Sequence, residues 1–432
     1  MTRAFVLHID LRTAGGPDPD AALAEAVSLT AAIELSPVDA DIAGVSRPNP
    51  ATLLGPGKVR ELAERFQGDD IELVIVDGTL TPVQQRNLER AWKAKVLDRT
   101  GLILEIFGER AQTREGVLQV ELAHLTYQKS RLVRSWTHLE RQRGGVGFMG
   151  GPGETQIEAD RRMIDEKITR IRRQLDKVVR TRALHRQKRK KVPNPVVALV
   201  GYTNAGKSTL FNRLTAAEVQ AEDMLFATLD PTMRRLRLPS GRIAILSDTV
   251  GFISNLPTQL VAAFRATLEE VLEADIVVHV RDVSHPETEA QARDVHAVLG
   301  ELGLGDGARA AMLEVHNKID LLSAEARALA GPMALSGDVL RVSAATGEGC
   351  ADLVEAIEER LYPRRLRLAL VLGHGDGAAV SWLYAHADVR ARSDAETGVH
   401  LTVELTEREF FHFRKAHPDA ARIVTRESVA AQ

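Results

Sequence analysis

The stretch Gly201–Ser208, which reads GYTNAGKS, constrains the fold of this chain more than any other part of its sequence. It fits the pattern GxxxxGKS, and it lies between the apolar run VVALV and the helix-like run TLFNRL. A strand, a glycine-rich loop and a helix in that order form a phosphate-binding P-loop, because backbone N–H groups and the helix N-terminus face the phosphate oxygens. The sequence therefore predicts a nucleotide-binding α/β domain with a doubly wound, mostly parallel sheet.

The loop combines a freely turning backbone with two side chains suited to phosphate chemistry. Gly201 and Gly206 let the backbone direct its N–H groups toward phosphate oxygens. Lys207 is predicted to neutralise the β- and γ-phosphates, and Ser208 is predicted to ligate Mg²⁺. The predicted nucleotide contacts of the loop are Gly201, Tyr202, Thr203, Asn204, Ala205, Gly206, Lys207 and Ser208.

Two further segments are predicted to contact the metal and the γ-phosphate. DTVG follows the apolar run IAILS, so the Asp248 carboxylate lies where Mg²⁺ needs an outer ligand and Gly251 can bring its backbone to the γ-phosphate. Thr228 in FATLD is predicted to ligate Mg²⁺ and to be released after hydrolysis, which makes a switch. The alternative for Thr228 is an ordinary loop threonine. The predicted contacts here are Phe226, Ala227, Thr228, Leu229, Asp230, Asp248, Thr249, Val250 and Gly251.

The base of the nucleotide is predicted to be guanine. NKID follows AMLEVH, and its Asp320 carboxylate can accept hydrogen bonds from the ring N–H and the exocyclic amine of guanine. Adenine cannot satisfy this carboxylate, and leaving it buried and unpaired costs several kcal/mol. SAA follows VLRV and can present a backbone N–H to the guanine carbonyl. The predicted contacts are Asn317, Lys318, Ile319, Asp320, Ser343, Ala344 and Ala345.

The catalytic residues predicted from the sequence are Lys207, Thr228 and Asn204. Many small GTPases place a glutamine directly after DxxG to orient the attacking water. Phe252 occupies that position here, and a phenyl ring cannot orient water by hydrogen bonding. Either another group orients the water, or hydrolysis is slow until a partner completes the site. For Asn204 two interpretations stay open: it helps to hold a K⁺ ion that replaces a positive finger, or it braces the loop.

Two apolar seams predict an antiparallel helical hairpin. They flank residues 144–153, which hold six glycines and one proline. Each interior glycine costs a helix about 1 kcal/mol and a proline about 3 kcal/mol, so this stretch is predicted to form the tip. Thr155–Glu158 is predicted to start the second arm as a capping box. The seams are Leu118, Leu122, Leu125, Lys129, Leu132, Trp136 and Leu139, then Ile157, Arg161, Ile164, Ile168, Ile171, Leu175 and Val178.

Positive charge is concentrated on the second arm, although the net charge of the chain is only −3. Residues 167–191 hold twelve Lys or Arg and the single acid Asp176. This arm is predicted to contact RNA phosphates with an affinity that falls steeply with salt. The alternative is a solvated helix face. Phe148 at the tip is predicted either to stack on a base or to cap the hairpin.

These elements predict four domains: residues 1–114, 115–192, 193–363 and 364–432. The predicted fold class is multi-domain α/β, with an N-terminal α/β domain, the hairpin, a P-loop GTPase domain and a small α+β C-terminal domain. One cysteine, no long apolar run and no signal-peptide pattern predict a cytoplasmic protein without integral membrane association. Peripheral membrane association stays open, and we expect a monomer.

Together these motifs resemble the HflX family of translation-factor-related GTPases, over nearly the whole chain. The resemblance rests on DRTGLILEIFGERAQTREGVLQVELAHLTY, GGVGFMGGPGETQIEADRR, GYTNAGKST, FATLD, DTVGFI and NKID. It implies a GTPase that binds the large ribosomal subunit, with the hairpin tip directed at ribosomal RNA. It also implies action on stalled, stressed or incompletely assembled ribosomes, by splitting subunits or remodelling ribosomal RNA. Some members are reported to bind ATP through the N-terminal domain; for GPGK at Gly55–Lys58 we favour a plain strand-to-helix turn.

Two other functions stay open at this stage. A GTPase that assists an RNA-modifying enzyme would need a partner enzyme or a folate-type domain, and no such domain is visible in the sequence. A non-catalytic switch whose hairpin docks on a protein would bind with weak salt dependence and would survive nuclease treatment. The one-sided basic arm argues against this second alternative.

Overall fold

The computed structural model describes residues 2–11, 18–33, 35–142, 152–189, 194–215, 226, 228–229, 232–254, 270–329, 334–335, 339–363, 365–395, 397–418 and 420–429. Its contacts divide the chain into two compact units. The first comprises residues 1–237 and 242–350, and the second comprises residues 238–241 and 351–432. The predicted fold class, multi-domain α/β with a largely parallel P-loop sheet, is confirmed.

The first sheet is parallel, and its described strands lie in the order β2-β1-β3-β4. The run AFVLHID lies in the first strand and IELVIVDG contains the third, and KVRELAERF and PVQQRNLERAW lie in the second and third helices. The second strand is less evident in the sequence, because SPVDADIAG contains a proline and two aspartates, which are depleted in strands. The elements are β1 (Arg3–Asp10), α1 (Pro19–Ala31), β2 (Ser36–Gly44), α2 (Pro56–Gly68), β3 (Leu73–Asp77), α3 (Pro82–Trp92), β4 (Lys95–Asp98) and α4 (Arg99–Arg110).

Two long helices, α5 (Arg114–Gln142) and α6 (Pro152–Arg189), form the predicted hairpin. At 1.5 Å per residue they are roughly 43 and 57 Å long. Their described seam buries Leu118, Leu125, Ile168 and Ile171, against which Leu122, Ile164, Leu175 and Val178 pack.

The start of the second arm differs from the prediction. α6 begins at Pro152, so Thr155 lies inside the helix and the predicted capping-box start is wrong. Proline suits the first helical turn because its fixed φ is helical and its missing N–H would have no partner there. The rest of the predicted tip, with Phe148, lies outside the described residues.

The P-loop sheet has its described strands in the order β10-β11-β9-β8-β5-β7-β6. Pairs among β11, β9, β8, β5 and β7 are parallel, whereas the edge strands β10 and β6 pair antiparallel. The parallel strands therefore direct their carboxyl ends, and the loops that follow them, to one edge. The elements are β5 (Val196–Val200), α7 (Lys207–Thr215), β6 (Thr232–Arg237), β7 (Ile243–Asp248), β8 (Ile276–Asp282), α8 (Thr288–Glu301), α9 (Asp306–Ala310), β9 (Leu313–Asn317), α10 (Ala324–Leu329), β10 (Ala334–Leu335) and β11 (Val339–Arg341).

One apolar core joins the N-terminal sheet to the P-loop domain within the first unit. It runs from α1, α4 and α5 to the residues that follow β5 and β7. Phe107 of α4 and Phe226 contact each other edge to face, with ring centroids 4.7 Å apart. Burial of this surface holds the P-loop against the helices of the first sheet.

The second unit contains a βαββαβ arrangement whose described strands lie antiparallel in the order β13-β14-β12-β15. The inward leucines of β12 and β14 and Phe413 form its core. LRLALVL and GVHLTVEL lie in two of these strands, and TEREFFHFRKA contains the last helix. The elements are α11 (Cys350–Leu361), β12 (Arg365–Leu372), α12 (Gly377–His386), β13 (Asp388–Ala395), β14 (Gly398–Thr406), α13 (Glu407–Ala416) and β15 (Ala421–Val429).

The described part of the chain contains neither a membrane-spanning helix nor a cluster of side chains typical of a metal site. None of its helices is both long enough and apolar enough to cross a bilayer. No group of three or more His, Cys, Asp or Glu side chains in the same ranges could hold a metal ion. A metal that binds the described residues would therefore need hydroxyl, backbone or nucleotide oxygens as well as carboxylates.

Candidate functional site

The P-loop connects β5 to α7 and has glycine at its two most crowded positions. Gly201 has φ +153°, and a Cβ there would come within 2.2 Å of the Val280 carbonyl oxygen. Gly206 has φ +90°, and a Cβ there would come within 2.2 Å of Nδ2 of Asn317. Any other residue at these positions would force the loop away from its neighbours. The predicted need for glycine thus has a steric cause at both sites.

Lys207 is buried at the start of α7 and points back into the loop. Its ammonium donates hydrogen bonds to the carbonyl oxygens of Gly201 at 3.1 Å and Tyr202 at 2.7 Å. Burial lowers the pKa of Lys207 to about 8, and the Asp248 carboxylate only partly opposes this shift. A phosphate would therefore meet a lysine whose charge is poorly compensated by the protein.

Ser208, Thr228 and Asp248 converge beside the loop. Oδ2 of Asp248 accepts from Ser208 Oγ at 2.7 Å and from Thr228 Oγ1 at 3.0 Å, and the two hydroxyl oxygens are 2.9 Å apart. Burial raises the pKa of Asp248 despite these bonds, and within the described part of the chain its buried Oδ1 has no hydrogen-bond partner. Two hydroxyls and a carboxylate with a spare oxygen are the hard donors that Mg²⁺ prefers. The predicted metal ligands therefore fit this ion.

The DTVG segment packs directly on the P-loop. A Cβ on Gly251 would lie 2.8 Å from Cα of Thr203 and 3.0 Å from Nζ of Lys207, so only glycine permits this approach. The next residue, Phe252, donates its N–H to the Gly201 carbonyl at 3.1 Å and accepts from the Thr203 N–H at 2.7 Å. Its side chain is buried in the core. Phe252 therefore anchors the segment and offers no polar group to water.

The predicted base site combines the NKID and SAA segments. The Asn317 amide donates to the Ala205 carbonyl at 2.8 Å, and its oxygen accepts from the Ala344 N–H at 2.9 Å. Asn317 therefore joins both segments to the P-loop. Oδ1 of Asp320 is buried and meets no hydrogen-bond partner among the residues that the structure describes. A guanine ring offers the two N–H donors that would satisfy this carboxylate.

Arg213 of α7 supports the SAA segment, although sequence analysis did not single it out. Its guanidinium donates to the carbonyl oxygen of Ala344 at 2.6 Å and also to that of Ala345. With both carbonyls held on one side, the backbone N–H groups are restricted in direction. No sequence signal could have revealed this residue, because its partners are backbone atoms.

Most of the remaining predicted nucleotide contacts are buried. Asn204 differs: it is exposed and adopts a left-handed backbone with φ +57°. Ala227 and Asp230 lie outside the described residues. The buried ones are Tyr202, Thr203, Phe226, Leu229, Thr249, Val250, Ile319 and Ser343.

A second polar cluster, which we call the cleft network, lies between the P-loop and the N-terminal sheet, at a cavity of about 1440 Å³. Arg99 donates to Asp77 at 2.6 Å, to Glu25, and to the carbonyl oxygen of Ser254 at 3.2 Å. The Tyr202 hydroxyl donates to Glu25 at 2.6 Å and accepts from the Ser254 N–H at 2.8 Å. Of the five residues of this network, only Tyr202 lies in a motif that the sequence reveals.

The GPGK stretch precedes α2. Gly55 is the N-cap of that helix, and no side chain caps it. The Lys58 ammonium lies 2.8 Å from a carboxylate oxygen of Glu61 and 3.2 Å from one of Asp41. The charge of Lys58 is therefore paired with carboxylates of the N-terminal domain.

Sequence models of four protein families match the chain, and together they span most of it. Residues 20–108 match "GTP-binding GTPase N-terminal" and residues 110–189 match "GTP-binding GTPase Middle Region". Residues 196–318 match "50S ribosome-binding GTPase", and residues 328–416 match "HflX C-terminal domain".

Several curated proteins named GTPase HflX are similar to the chain over most of their lengths. The protein of Magnetococcus marinus is 53% identical over 379 residues, which cover 88% of this chain and 86% of that protein. The Escherichia coli protein is 46% identical over 337 residues, or 78% of each chain. A solved GTP-binding protein of Sulfolobus solfataricus in complex with GDP shares 23% identity, with a TM-score of 0.45 and coverage of 83% of this chain and 98% of that one.

Proposed function

The chain belongs to the HflX family of GTPases, and from that premise we propose that it acts on the large ribosomal subunit in a GTP-controlled manner. Its action would split or rescue stalled or stressed ribosomes, or remodel the RNA of the large subunit. Because the members of this family are GTPases, the chain is a GTP hydrolase. We propose that hydrolysis is slow in the isolated protein and that large subunits stimulate it, because Phe252 supplies no water-orienting group.

The observation that carries this proposal is the basic face of α6. Among the described side chains of this helix the exposed cations share the faces that the seam leaves free. Phosphate contacts by such cations supply affinity and orientation without sequence specificity. RNA of the large subunit is therefore the partner that this arm fits best. These exposed cations outside the seam are Arg162, Lys167, Arg170, Arg172, Arg173, Lys177 and Arg180.

The nucleotide site supplies the switch in this proposal. Thr228 lies within hydrogen-bond distance of Ser208 and Asp248. A metal ion bound beside these residues could therefore also contact Thr228. A bound Mg²⁺ would neutralise phosphate charge. The hydroxyls of Ser208 and Thr228 would hold the ion, with Asp248 behind them. Ordering of Thr228 by GTP, and its release after hydrolysis, would favour and then end ribosome binding.

Two residues of the P-loop are assigned catalytic roles in the proposal. Lys207 stabilises charge on the β- and γ-phosphates, which is where negative charge must be neutralised during phosphoryl transfer. Asn204 is exposed at the mouth of the loop, so its amide oxygen can contribute to a K⁺ site next to the phosphates. Turnover that is faster in K⁺ than in Na⁺ would support this role, and equal turnover would assign Asn204 to bracing the loop.

Sedimentation with purified large subunits tests the proposal. We expect the chain to pellet with subunits in the presence of a non-hydrolysable GTP analogue and to remain in the supernatant with GDP. Equal pelleting with both nucleotides, or none with either, would contradict it. Co-purification with a modification enzyme and without ribosomes would instead favour the RNA-modification function.

A pair of charge variants separates RNA binding from docking on a protein. Replacing Arg170, Arg173 and Lys177 with Gln should reduce the salt dependence of subunit binding, since fewer counterions are released. The control replaces three exposed cations of the N-terminal domain with Gln, and its salt dependence should match that of the wild type. Weak salt dependence in the wild type would support the protein-docking alternative. The control residues are Arg90, Lys93 and Lys95.

A further inference from the structure

The cleft network binds Ser254 of the DTVGFIS segment from two sides. Both backbone groups of Ser254 are engaged: its N–H donates to the Tyr202 hydroxyl at 2.8 Å and its carbonyl accepts from Arg99 at 3.2 Å. The Ser254 hydroxyl is also 3.3 Å from the Arg99 guanidinium. Arg99 belongs to the N-terminal sheet domain, so that domain reaches the segment that follows Gly251.

Glu25 ties these two contacts together. One carboxylate oxygen accepts from Arg99 and the other accepts from the Tyr202 hydroxyl at 2.6 Å. Asp77 accepts from Arg99 on the far side at 2.6 Å. Burial would by itself lower the pKa of Arg99, but the Asp77 and Glu25 carboxylates raise it, so the guanidinium stays charged. A charged group with two carboxylate partners holds a fixed position better than a neutral, singly bonded one.

GTP hydrolysis depends on the exact position of residues 251–254 relative to the P-loop. Gly251 packs on Lys207 and Thr203 of the P-loop, and the side chain of Phe252 is turned into the core. Position 252 has no polar side chain, and the backbone groups of Phe252 and Ser254 are bonded to protein atoms. The Gly251 backbone is therefore the part of this segment that we expect to approach the γ-phosphate, and the bonds on either side of it fix its position. Misplacement of reacting groups by about 1 Å can cost a hundredfold in rate.

We propose that Arg99 and Glu25 are positioning residues for GTP hydrolysis: acting through Tyr202 and Ser254, they hold residues 251–254 in the arrangement that the reaction requires. Neither residue touches the nucleotide in this proposal. The N-terminal sheet domain thereby becomes part of the GTPase machinery. This role concerns turnover by the chain alone and does not depend on the ribosomal partner.

Tyr202→Phe is the sharpest test, because it removes only the hydroxyl that joins Glu25 to Ser254 and keeps the buried ring. We expect kcat for GTP, measured without ribosomes, to fall about tenfold while KM changes less than about twofold, since orientation is lost and binding is kept. The matched control is Tyr127→Phe. Tyr127 donates its hydroxyl to the buried Asp98 at 2.6 Å but does not contact the segment.

The control should lose a comparable hydrogen bond and keep wild-type kcat and KM. Hydrogen exchange reports local opening of the segment separately from a change in overall stability. The Ser254 amide should exchange faster in Tyr202→Phe than in Tyr127→Phe. Glu25→Gln should lower kcat in the same direction. A kcat for Tyr202→Phe equal to or above that of Tyr127→Phe, or an effect confined to KM, would overturn the proposal.

Discussion

The nucleotide site and the cleft network lie side by side, and they treat buried charge in opposite ways. In the nucleotide site, Asp248 and Asp320 each have a buried carboxylate oxygen that meets no hydrogen-bond partner among the described residues. In the cleft network, the two terminal nitrogens of Arg99 are paired with Asp77 and Glu25, and within the same described residues only its Nε is buried without a partner. A buried polar atom without a partner costs free energy that a ligand can recover, whereas a satisfied pair rigidifies the fold. Substitutions in the first region should therefore change binding, and substitutions in the second should change stability and turnover.

Asp320→Asn should produce the largest effect on the binding side of this comparison. We expect the affinity for GTP to fall about a hundredfold or more, because an amide cannot accept both guanine N–H groups. The same variant should gain affinity for xanthosine triphosphate, whose 2-carbonyl accepts from the new amide. Calorimetric titration of both nucleotides measures the change.

The control for this prediction is Asp69→Asn, at an exposed position at the end of α2. It should bind GTP like the wild type, and both variants should keep the thermal stability of the nucleotide-free wild type. A large loss of thermal stability in Asp320→Asn, with GTP affinity retained, would remove the distinction between the two regions.

Arg99→Met should produce the largest effect on the stability side. It removes the guanidinium from buried Asp77, which keeps its contact with His8 Nδ1 at 2.7 Å, and breaking a buried ion pair in this way costs about 3 kcal/mol or more of unfolding free energy. Hydrogen-exchange protection of the β3 amides reports this loss locally. The affinity for GTP should stay within about twofold of wild type, because Arg99 contacts no predicted nucleotide group directly. Unchanged β3 protection with weakened GTP binding would contradict the comparison.

A smaller effect is expected from the titration of Lys207. Its pKa is lowered to about 8 by burial, so the side chain is charged below pH 8 and increasingly neutral above it. GDP favours the charged form and must therefore restore a proton at higher pH, which weakens the apparent affinity by up to about tenfold per pH unit above 8. Titrations from pH 7 to 9 in two buffers of different ionisation enthalpy would reveal the proton uptake. Constant affinity across this range would show that Lys207 keeps its charge throughout.

The P-loop and the hairpin are predictable because their signals are local. The P-loop, DTVG, NKID and SAA segments each begin at or just after the end of an apolar strand, and parallel pairing then places them at one edge of the sheet. The hairpin follows from apolar spacing alone. The start of α6 was mispredicted because two local signals competed, and proline at position 152 took precedence over the capping pattern at Thr155.

The cleft network and Arg213 could not be predicted, for different physical reasons. The network joins Arg99 to Glu25, 74 residues away, and to Ser254, 155 residues away, so no local pattern contains it. Arg213 binds backbone carbonyls, which every residue has. Long-range ion pairs and side-chain bonds to backbone arise only when the sheets pack, and the sequence pattern of either partner is that of an ordinary helix or loop residue.

We propose that the hairpin brings residues 144–151 to ribosomal RNA under the control of GTP, and a measurement of GTP turnover tests this proposal. The measurement compares the wild type with a variant in which residues 144–151 are replaced by a short unrelated connector, each with and without purified large subunits, in K⁺. We predict that subunits raise turnover of the wild type by about tenfold or more and leave the connector variant unstimulated. Equal stimulation of both proteins, or stimulation of neither, would contradict the account.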